Sequence, residues 1–250
     1  MTKSVIIIPA RLASTRLPRK LLLAKTGRSV LQHTYESASR SRKATRVIVA
    51  ADDPEIVSNV QSFGGDVVLT DPTHVCGTDR VAEVAAGLSG VDIVVNVQGD
   101  EPEISADAID VAISLLEHGG DVSVSTLATP IRDRAQLLDP SCVKVVVDAR
   151  GRAMYFSRSP IPCAREWDDR LLKQEPANFL QHVGLYCYRR DFLLQIPNLP
   201  LKPLESIESL EQLRILYHGE PISVGLINHP IAGIDTAADY QSFVRRQANR

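Results

Sequence analysis

Short runs of β-branched residues alternate with segments of helical periodicity, and this rhythm limits the fold more than any other feature of the sequence. The apolar runs stop at polar, glycine or proline residues, as buried strands do. They occupy residues 5–10, 46–51, 67–70, 93–98 and 122–127. Helix-like segments lie between them at 31–41, 54–63, 78–88 and 106–118. This alternation predicts an α/β fold with a mainly parallel sheet and helices on both faces.

The pattern changes after residue 140. Segments 143–147 and 153–156 flank a turn at 148–151, which predicts a β-hairpin. A polar, proline-containing stretch follows, and we interpret the region from about 143 to 180 as an arm that packs on a partner subunit. The sequence therefore favours a homodimer. We expect one domain over residues 1–250, because no linker, repeat or low-complexity tract divides the chain. Its last elements are expected as strands at 183–188 and 222–227, a helix near 207–217, and a helix from 236.

Composition excludes several classes of protein. Hydrophobic residues make up 44% of the 250, enough for a large core, so general disorder is excluded. The net charge of -2 carries no block of like charge, which disfavours a binder of nucleic acid or membrane surfaces. The first apolar run is too short for a signal peptide or a membrane span, so we expect a cytoplasmic protein. The four cysteines and six histidines lack zinc-site spacing, and the cysteines are expected to be reduced.

The loop after the first predicted strand contains four cations and two hydroxyls. Arg11, Arg16 and Lys20 could neutralise a triphosphate and its leaving pyrophosphate, because Arg forks onto phosphate oxygens and Lys acts as a point charge. A solvated basic loop is the alternative. The chain contains neither GxxxxGK[ST] nor GxGxxG, so a P-loop or a Rossmann dinucleotide site lacks its main support.

Two acidic residues are candidates for holding a hard cation. Asp100 follows Asn96 and Gln98 at a spacing of two, so we expect these three on one side of the strand and its extension. Gln98 could bind a substrate, and Asp100 could coordinate Mg²⁺. Asp235 is a second carboxylate that could face Asp100 across the sheet edge. The alternatives are a Gly-Asp turn at Asp100 and an N-terminal helix cap at Asp235.

A later strand alternates cleanly between two faces. The residues predicted to share one face are His182, Gly184, Tyr186 and Tyr188. Since Gly184 has no side chain, it leaves room for a polar small molecule, and a solvent-facing edge strand is the alternative. Further on, Glu211 and Gln212 lie on the flank of a helix, most simply as solvated polar residues.

These signals follow the motif order of one enzyme family. In chain order they are Pro9-Ala10-Arg11, Arg16-Leu17-Pro18 with Lys20, Gly77-Thr78-Asp79-Arg80, Gln98-Gly99-Asp100-Glu101-Pro102, Tyr155-Phe156-Ser157-Arg158, His182-Val183-Gly184-Leu185-Tyr186, Leu210-Glu211-Gln212-Leu213-Arg214 and Gly233-Ile234-Asp235-Thr236. The sequence resembles the 3-deoxy-manno-octulosonate cytidylyltransferases, or CMP-Kdo synthetases, over residues 5 to about 240. The resemblance implies a Rossmann-like nucleotidyltransferase fold with an antiparallel dimerisation arm. It also implies transfer of CMP from CTP to the anomeric hydroxyl of Kdo, with release of pyrophosphate, for lipopolysaccharide biosynthesis.

The resemblance also implies roles for individual residues. The residues that would bind the nucleotide are Arg11, Arg16, Lys20, Gly77, Thr78 and Arg80. Asp100 and Asp235 would carry Mg²⁺, and with Arg11 and Lys20 they would form the catalytic set. The residues that would line the Kdo pocket are Gln98, Arg158, His182, Tyr186, Glu211 and Gln212. Arg158 suits the sugar carboxylate, because a guanidinium pairs with it in a bidentate manner. A metal-activated sugar hydroxyl is the expected nucleophile, with a side-chain general base as the alternative.

Two segments depart from the family's usual pattern. Arg19 replaces the glycine of Pro-Gly-Lys, which puts the loop geometry in question because a non-glycine residue adopts positive φ only at a cost. Val75 and Cys76 replace Gln and Ser beside the nucleotide loop, which could loosen base selectivity. The functional alternatives are a cytidylyltransferase for another sugar acid such as sialic acid, a catalytically silent CTP-binding protein and, more distantly, a redox enzyme.

Overall fold

The structure is a computed structural model that describes residues 2–228 and 232–249. Its strands are β1 (Ser4–Ala10), β2 (Ala44–Ala51), β3 (Asp66–Leu69), β4 (Ile93–Asn96), β5 (Val124–Pro130), β6 (Lys144–Val147), β7 (Ala153–Ser157), β8 (Leu180–Arg189) and β9 (Ile222–Leu226). Its α-helices are α1 (Val30–Ala38), α2 (Pro54–Ser62), α3 (Gly77–Ala86), α4 (Ala106–His118), α5 (Arg134–Leu138), α6 (Arg190–Leu193), α7 (Pro203–Glu208), α8 (Gln212–Tyr217) and α9 (Ala237–Ala248).

The strands form one sheet in the order β3-β2-β1-β4-β8-β5-β9. β3, β2, β1 and β4 are mutually parallel, and so are β5 and β9. β8 runs antiparallel to both of its neighbours, β4 and β5. The mainly parallel sheet flanked by helices confirms the predicted fold class. Because β8 runs backwards, the residues that follow β4 lie beside the first half of β8, at one edge of the sheet.

Both faces of the sheet are covered by helices. Ile6 and Ile8 of β1 belong to an apolar cluster on one face, and Val5 and Ile7 belong to a cluster on the other. Helices α1, α2, α4 and α9 contribute to the first cluster, whereas α3, α6 and α8 contribute to the second. Burial on both faces explains why the strands read as continuous apolar runs rather than as alternating ones.

Side-chain caps mark the starts of the main helices. Ser29, Asp53, Ser105 and Thr236 each accept a hydrogen bond from a backbone N–H in the first turn of the helix that follows. These caps fix the direction in which each helix leaves the preceding loop. Within the described part of the chain, no helix is both long enough and apolar enough to cross a membrane.

The hairpin predicted after residue 140 is present as β6 and β7. Lys144 pairs with Ser157 across it, and Lys144 also pairs with Gln181 of β8, so the hairpin is joined to the main sheet. The polar stretch after it folds back on a small apolar cluster that includes Leu137, Leu172 and Phe179. The role of this arm as a subunit interface stays a prediction.

The single helix predicted near 207–217 is wrong. The chain forms α7 and α8 instead, separated by a break at Ser209, which adopts a left-handed conformation with φ 51°. A left-handed conformation costs a non-glycine residue free energy, so contacts around Ser209 must stabilise it. The break redirects the chain and places the start of α8 beside the carboxyl ends of the strands.

Candidate active site

Two adjoining cavities open where β1 and β4 end. The first, which we call the basic cavity, has a volume of about 350 Å³ and is lined by residues including Arg11, Ser14, Arg16, Lys20, Gly77 and Asp100. The second, which we call the aromatic cavity, has a volume of about 410 Å³ and is lined by residues including Thr78, Asn96, Arg158, His182, Tyr186, Tyr188, Glu211 and Gln212. Gln98 lines both cavities. With the exception of Arg80, the predicted nucleotide and sugar residues therefore line these cavities at one edge of the sheet.

The floor of the basic cavity depends on a close approach of two loops. A Cβ atom on Gly99 would lie 3.0 Å from the carbonyl oxygen of Pro9, so only glycine fits without a shift of the backbone. Arg11 extends from the same loop, and its Nη2 donates to the carbonyl oxygen of His74 at 3.2 Å. The cations of the loop after β1 therefore lie next to the turn that follows β4.

Lys20 brings the two predicted metal ligands together. Its Nζ donates to Asp100 Oδ2, to Asp235 Oδ1 at 3.2 Å and to the carbonyl oxygen of Ile234 at 3.1 Å. Arg16 Nη2 donates to the same Asp235 oxygen at 2.8 Å. Burial opposes the charge on Lys20, but the adjacent carboxylates outweigh it and raise the pKa of Lys20 above its ordinary value. Cationic and anionic groups therefore balance one another at this end of the basic cavity.

The alternative role of Asp235 as a helix cap is wrong. Thr236 caps α9, and its side chain forms a capping box with Asp239. Asp235 lies outside the helix, and its carboxylate points to Arg16 and Lys20. The spatial arrangement of Asp100 and Asp235 suits a hard cation, since Mg²⁺ in nucleotide sites typically takes one or two protein carboxylates and completes its shell with phosphates and water.

β8 forms one wall of the aromatic cavity. Because β8 lies between β4 and β5, the alternative of a solvent-facing edge strand is wrong. The face predicted from alternation carries the side chains that reach the cavity, and Val183, Leu185 and Cys187 pack into the apolar cluster on the opposite face. A site on a central strand is held on both sides by backbone pairing, so its side chains are well positioned.

His182 is held as a neutral side chain in this wall. Its ring lies 5.0 Å from that of Phe156 and 5.3 Å from that of Tyr186, between ring centroids. Nε2 lies 3.0 Å from the hydroxyl oxygen of Thr126. Burial lowers the pKa of His182 to about 3. The imidazole is therefore uncharged near pH 7 and can exchange hydrogen bonds with a ligand, but it is a weak base.

Tyr186 carries a hydroxyl group suited to a ligand. The hydroxyl oxygen is buried and has no hydrogen-bond partner in the part of the chain that the structure describes. The ring stacks on Tyr188 with centroids 5.8 Å apart. A buried hydroxyl without a partner costs free energy, so a polar ligand in the cavity would be favoured there.

The start of α8 forms part of the lining of the aromatic cavity. Thr78, in the loop predicted to contact the nucleotide, donates its hydroxyl to Glu211 Oε2 at 2.7 Å. Gln212 is buried with 6% exposure, so the interpretation of Gln212 as a solvated residue is wrong. The helix break at Ser209 turns both polar side chains towards the cavity.

Arg158 lines the aromatic cavity beside the break at Ser209. Its guanidinium donates to three carbonyl oxygens, from Nε to Glu208 at 2.7 Å, from Nη1 to Pro140 at 3.1 Å and from Nη2 to Ser209 at 3.3 Å. A guanidinium has five N–H donors, so these contacts leave two for a ligand. The side chain is thereby fixed in orientation while it keeps the capacity to bind a carboxylate.

Two predicted site residues line neither cavity, Asp235 and Arg80. Asp235 contacts the basic cavity through its ion pairs with two of the cations that line it, whereas Arg80 lies apart from both cavities. Arg80 is fully buried and donates to Thr70 Oγ1 and, at 3.2 Å, to the carbonyl oxygen of Asp71. Its Nε and Nη2 have no partner among the described residues. A contact between Arg80 and the nucleotide stays a prediction.

Sequence reasoning missed one buried acid beside the site. Glu101 follows Asp100 in the turn after β4, and burial, with a smaller contribution from Asp100, raises its pKa to about 8. Its Oε2 is buried without a partner among the described residues. The sequence carries no local signal for this burial, because acids in turns are usually exposed.

The loop between Arg16 and Lys20 retains the left-handed geometry that a glycine would adopt easily. Arg19 has φ 55° and ψ 31°, and its guanidinium forms an ion pair with Glu55. The substitution of the family's glycine therefore leaves the backbone shape in place, and the strain falls on Arg19.

Comparisons with known proteins agree with this geometry. The cytidylyltransferase family profile matches residues 5–222. A 3-deoxy-manno-octulosonate cytidylyltransferase from Rhodopirellula baltica is 48% identical over 245 residues, which cover 98% of each chain. One from Geobacter sulfurreducens is 46% identical over 246 residues, covering 96% of this chain and 97% of its own. The solved structure of a CMP:2-keto-3-deoxy-manno-octonic acid synthetase complexed with CTP has a TM-score of 0.92 and 40% identity, and the match covers 99% of each chain.

Proposed function

Because the chain belongs to the 3-deoxy-manno-octulosonate cytidylyltransferase (CMP-Kdo synthetase) family, we propose that it transfers CMP from CTP to the anomeric hydroxyl of Kdo. The observation that carries the proposal is the pair of adjoining cavities, one lined by Arg11, Arg16 and Lys20 and the other largely by aromatic and hydrogen-bonding side chains with Arg158, which meet at Gln98. A triphosphate and a sugar acid can then meet at their shared wall. The sugar oxygen would form a bond to the α-phosphorus as the bond to pyrophosphate breaks.

The basic cavity supplies the charges that a nucleotide needs. Arg11 and Lys20 would bind the CTP phosphates, with Arg16 close by, and Gly77 and Thr78 would contact the nucleotide from the start of α3. In the structure Lys20 is paired with the carboxylates of Asp100 and Asp235. We propose that it exchanges these partners for phosphate oxygens when CTP binds, because both are anionic oxygen acceptors.

Asp100 and Asp235 would hold Mg²⁺ in this cavity. Such an ion would supply Lewis-acid stabilisation of the charge on the phosphates and would lower the pKa of the sugar hydroxyl. The protein's own part is to keep the two carboxylates at the sheet edge and the cations around them. No covalent bond between the enzyme and either substrate is required.

The aromatic cavity would take the sugar acid. Arg158 would pair with its carboxylate, and Gln98, Glu211 and Gln212 would hydrogen-bond its hydroxyls. The neutral His182 would orient the sugar as a hydrogen-bond partner, because a group with a pKa of about 3 takes up little proton at neutral pH.

The β6–β7 arm supports the proposal of a homodimer. Met154 on β7 is 63% exposed, although it is apolar. β7 pairs with β6 alone among the described strands, so its outer edge can meet another chain. Molar mass measured by light scattering would distinguish a dimer of about twice the 27.4 kDa chain from a monomer.

The test is pyrophosphate release by purified protein with CTP, Mg²⁺ and Kdo. We expect release only when both substrates are present, and less release with UTP for CTP or with sialic acid for Kdo. Asp100→Asn should nearly abolish turnover while the protein stays folded, because a charged metal ligand is lost. Asp191→Asn is the matched control, since Asp191 lies in α6 with a side chain 94% exposed.

The two alternatives related to cytidylyltransferases have distinct outcomes in this assay. Faster turnover with sialic acid than with Kdo would identify sialic acid as the acceptor in place of Kdo. CTP binding without pyrophosphate release under any of these conditions would indicate a silent homologue. A fully active Asp100→Asn protein would refute the assignment of Asp100 to the metal.

A further inference from the structure

Lys144 is a fully buried cation that lines neither cavity. It opens β6 with 0% exposure, and burial lowers the pKa of its ammonium group below the ordinary value. Nζ donates to three backbone carbonyl oxygens, of Asp139 at 3.0 Å, of Cys142 at 2.6 Å and of Arg158 at 2.5 Å. An ammonium group has three N–H donors, so these carbonyls satisfy all of them.

Burial of this cation costs desolvation free energy, so it is unlike the usual means of stabilising a fold. An apolar side chain of similar volume usually serves a core at least as well as a buried charge does. The ammonium group connects two segments of the chain, because its three acceptors lie on both sides of the hairpin. Asp139 and Cys142 belong to the turn before β6, whereas Arg158 follows β7. Lys144 thus ties the entry of the hairpin to its exit.

The turn that Lys144 holds also contacts the guanidinium of Arg158. Pro140 lies between the two carbonyls of that turn, and its own oxygen accepts from Arg158 Nη1 at 3.1 Å. Lys144 therefore acts on Arg158 twice, at the backbone carbonyl directly and at the guanidinium through Pro140. Displacement of the turn would release one end of the side chain.

Glu208 holds Arg158 from the other side. Its Oε2 accepts from the backbone N–H of Arg158 at 2.9 Å, and its Oε1 accepts from the hydroxyl of Ser157 at 2.6 Å. Its carbonyl oxygen accepts from Arg158 Nε at 2.7 Å. The backbone and the guanidinium of Arg158 are thereby fixed between the hairpin and the end of α7.

We propose that Lys144 is a positioning residue, which holds Arg158 in the orientation that binds the carboxylate of the sugar acid. The proposal rests on the proposed function, since it needs Arg158 at the acceptor site. Lys144 lines neither of the cavities proposed to bind the substrates. Its effect should therefore appear in the use of Kdo and not in the use of CTP.

The test compares steady-state kinetics of Lys144→Met with those of the wild type. We expect the KM for Kdo to rise between about tenfold and a hundredfold, since small displacements of a positioned group have effects of this size. The kcat and the KM for CTP should stay within about twofold, because the basic cavity is unchanged. Val145→Ala is the matched control, since Val145 is the next residue and is equally buried, but its side chain packs in an apolar cluster. It should lower stability without changing the KM for Kdo.

A double-mutant cycle separates positioning from general destabilisation. Arg158→Met should itself raise the KM for Kdo, and adding Lys144→Met should raise it little further, because both changes remove the same interaction. If Lys144→Met does not fold, Lys144→Gln takes its place, since it also removes the ammonium group that contacts the three carbonyls and should show the same selective effect.

The outcomes are distinct. An unchanged KM for Kdo, an equal loss for both substrates, or additive effects in the cycle would each overturn the positioning role in an active enzyme. A wild-type protein that does not use Kdo would refute the proposed function, and the positioning proposal with it.

Discussion

Substitutions at Arg19 can measure the free-energy cost of its left-handed backbone conformation. A non-glycine residue in this conformation costs about 1–2 kcal/mol, whereas glycine adopts it freely. Glycine loses more conformational entropy on folding, which costs about 0.5–1 kcal/mol. The difference predicts that a protein with glycine at this position is about 0.5–1 kcal/mol more stable than one with alanine.

The ion pair with Glu55 must be separated from this backbone effect. Its side chains are 58% and 45% exposed, so it contributes between about 0 and 1 kcal/mol. Arg19→Ala removes the ion pair and keeps the strain, so the free energy of unfolding should fall by up to that amount. Arg19→Gly removes both, and its stability should lie close to that of the wild type.

Urea denaturation of the two variants measures the comparison directly. The slope of unfolding free energy against urea should stay the same, because neither substitution changes the buried surface much. Glu55→Gln, made alone and with each variant, gives the ion-pair contribution as a control. If the glycine variant is no more stable than the alanine variant, the assignment of backbone strain to Arg19 is wrong.

Two further predictions concern stability. The pKa of His182 is about 3 in the folded protein against an ordinary 6.5, so only the unfolded chain gains a proton between these values. Stability should therefore fall as pH drops from 6.5 towards 3, by up to about 1.4 kcal/mol per pH unit from this residue. Urea titrations over this range should show a weaker dependence for His182→Gln, and an equal dependence would contradict the burial of a neutral imidazole. Thr236→Ala should lower the free energy of unfolding by about 1 kcal/mol because it removes the cap of α9, and an unchanged urea midpoint would count against that cap.

Local signals in the sequence predicted the elements whose ends are set locally. The helix expected at 106–118 has those bounds in the structure, since Ser105 caps its start and glycines follow its end. The helix expected near 207–217 failed, because its periodicity continues through Ser209 while the backbone turns there. Contacts of Glu208 and Ser209 with Arg158, some fifty residues earlier, accompany that turn. No local pattern encodes such contacts.

The same distinction applies to the candidate site. Residues that follow strand ends, such as Arg11 after β1 and Asp100 after β4, could be assigned to one sheet edge because parallel strands end together. The motif order then supplied their chemistry. The burial of Arg80 and the role of Lys144 depend on what packs around them, and neither residue type predicts it. Charged side chains are usually exposed, so composition and periodicity do not predict the few that are buried.

The antiparallel strand at the centre of the sheet has a consequence for how the chain is made. β5 is complete at residue 130, yet the strand that joins it to β4 spans residues 180–189. During synthesis from the N-terminus, β1 to β4 can pair with one another, but the edge of β4 stays unpaired until β8 has been synthesised. Such an open edge can pair with other chains, so a ribosome stalled before residue 180 would release a product prone to aggregation. The strand that carries His182 and Tyr186 thus also joins β4 to β5, and the aromatic cavity forms only once β8 has paired with both.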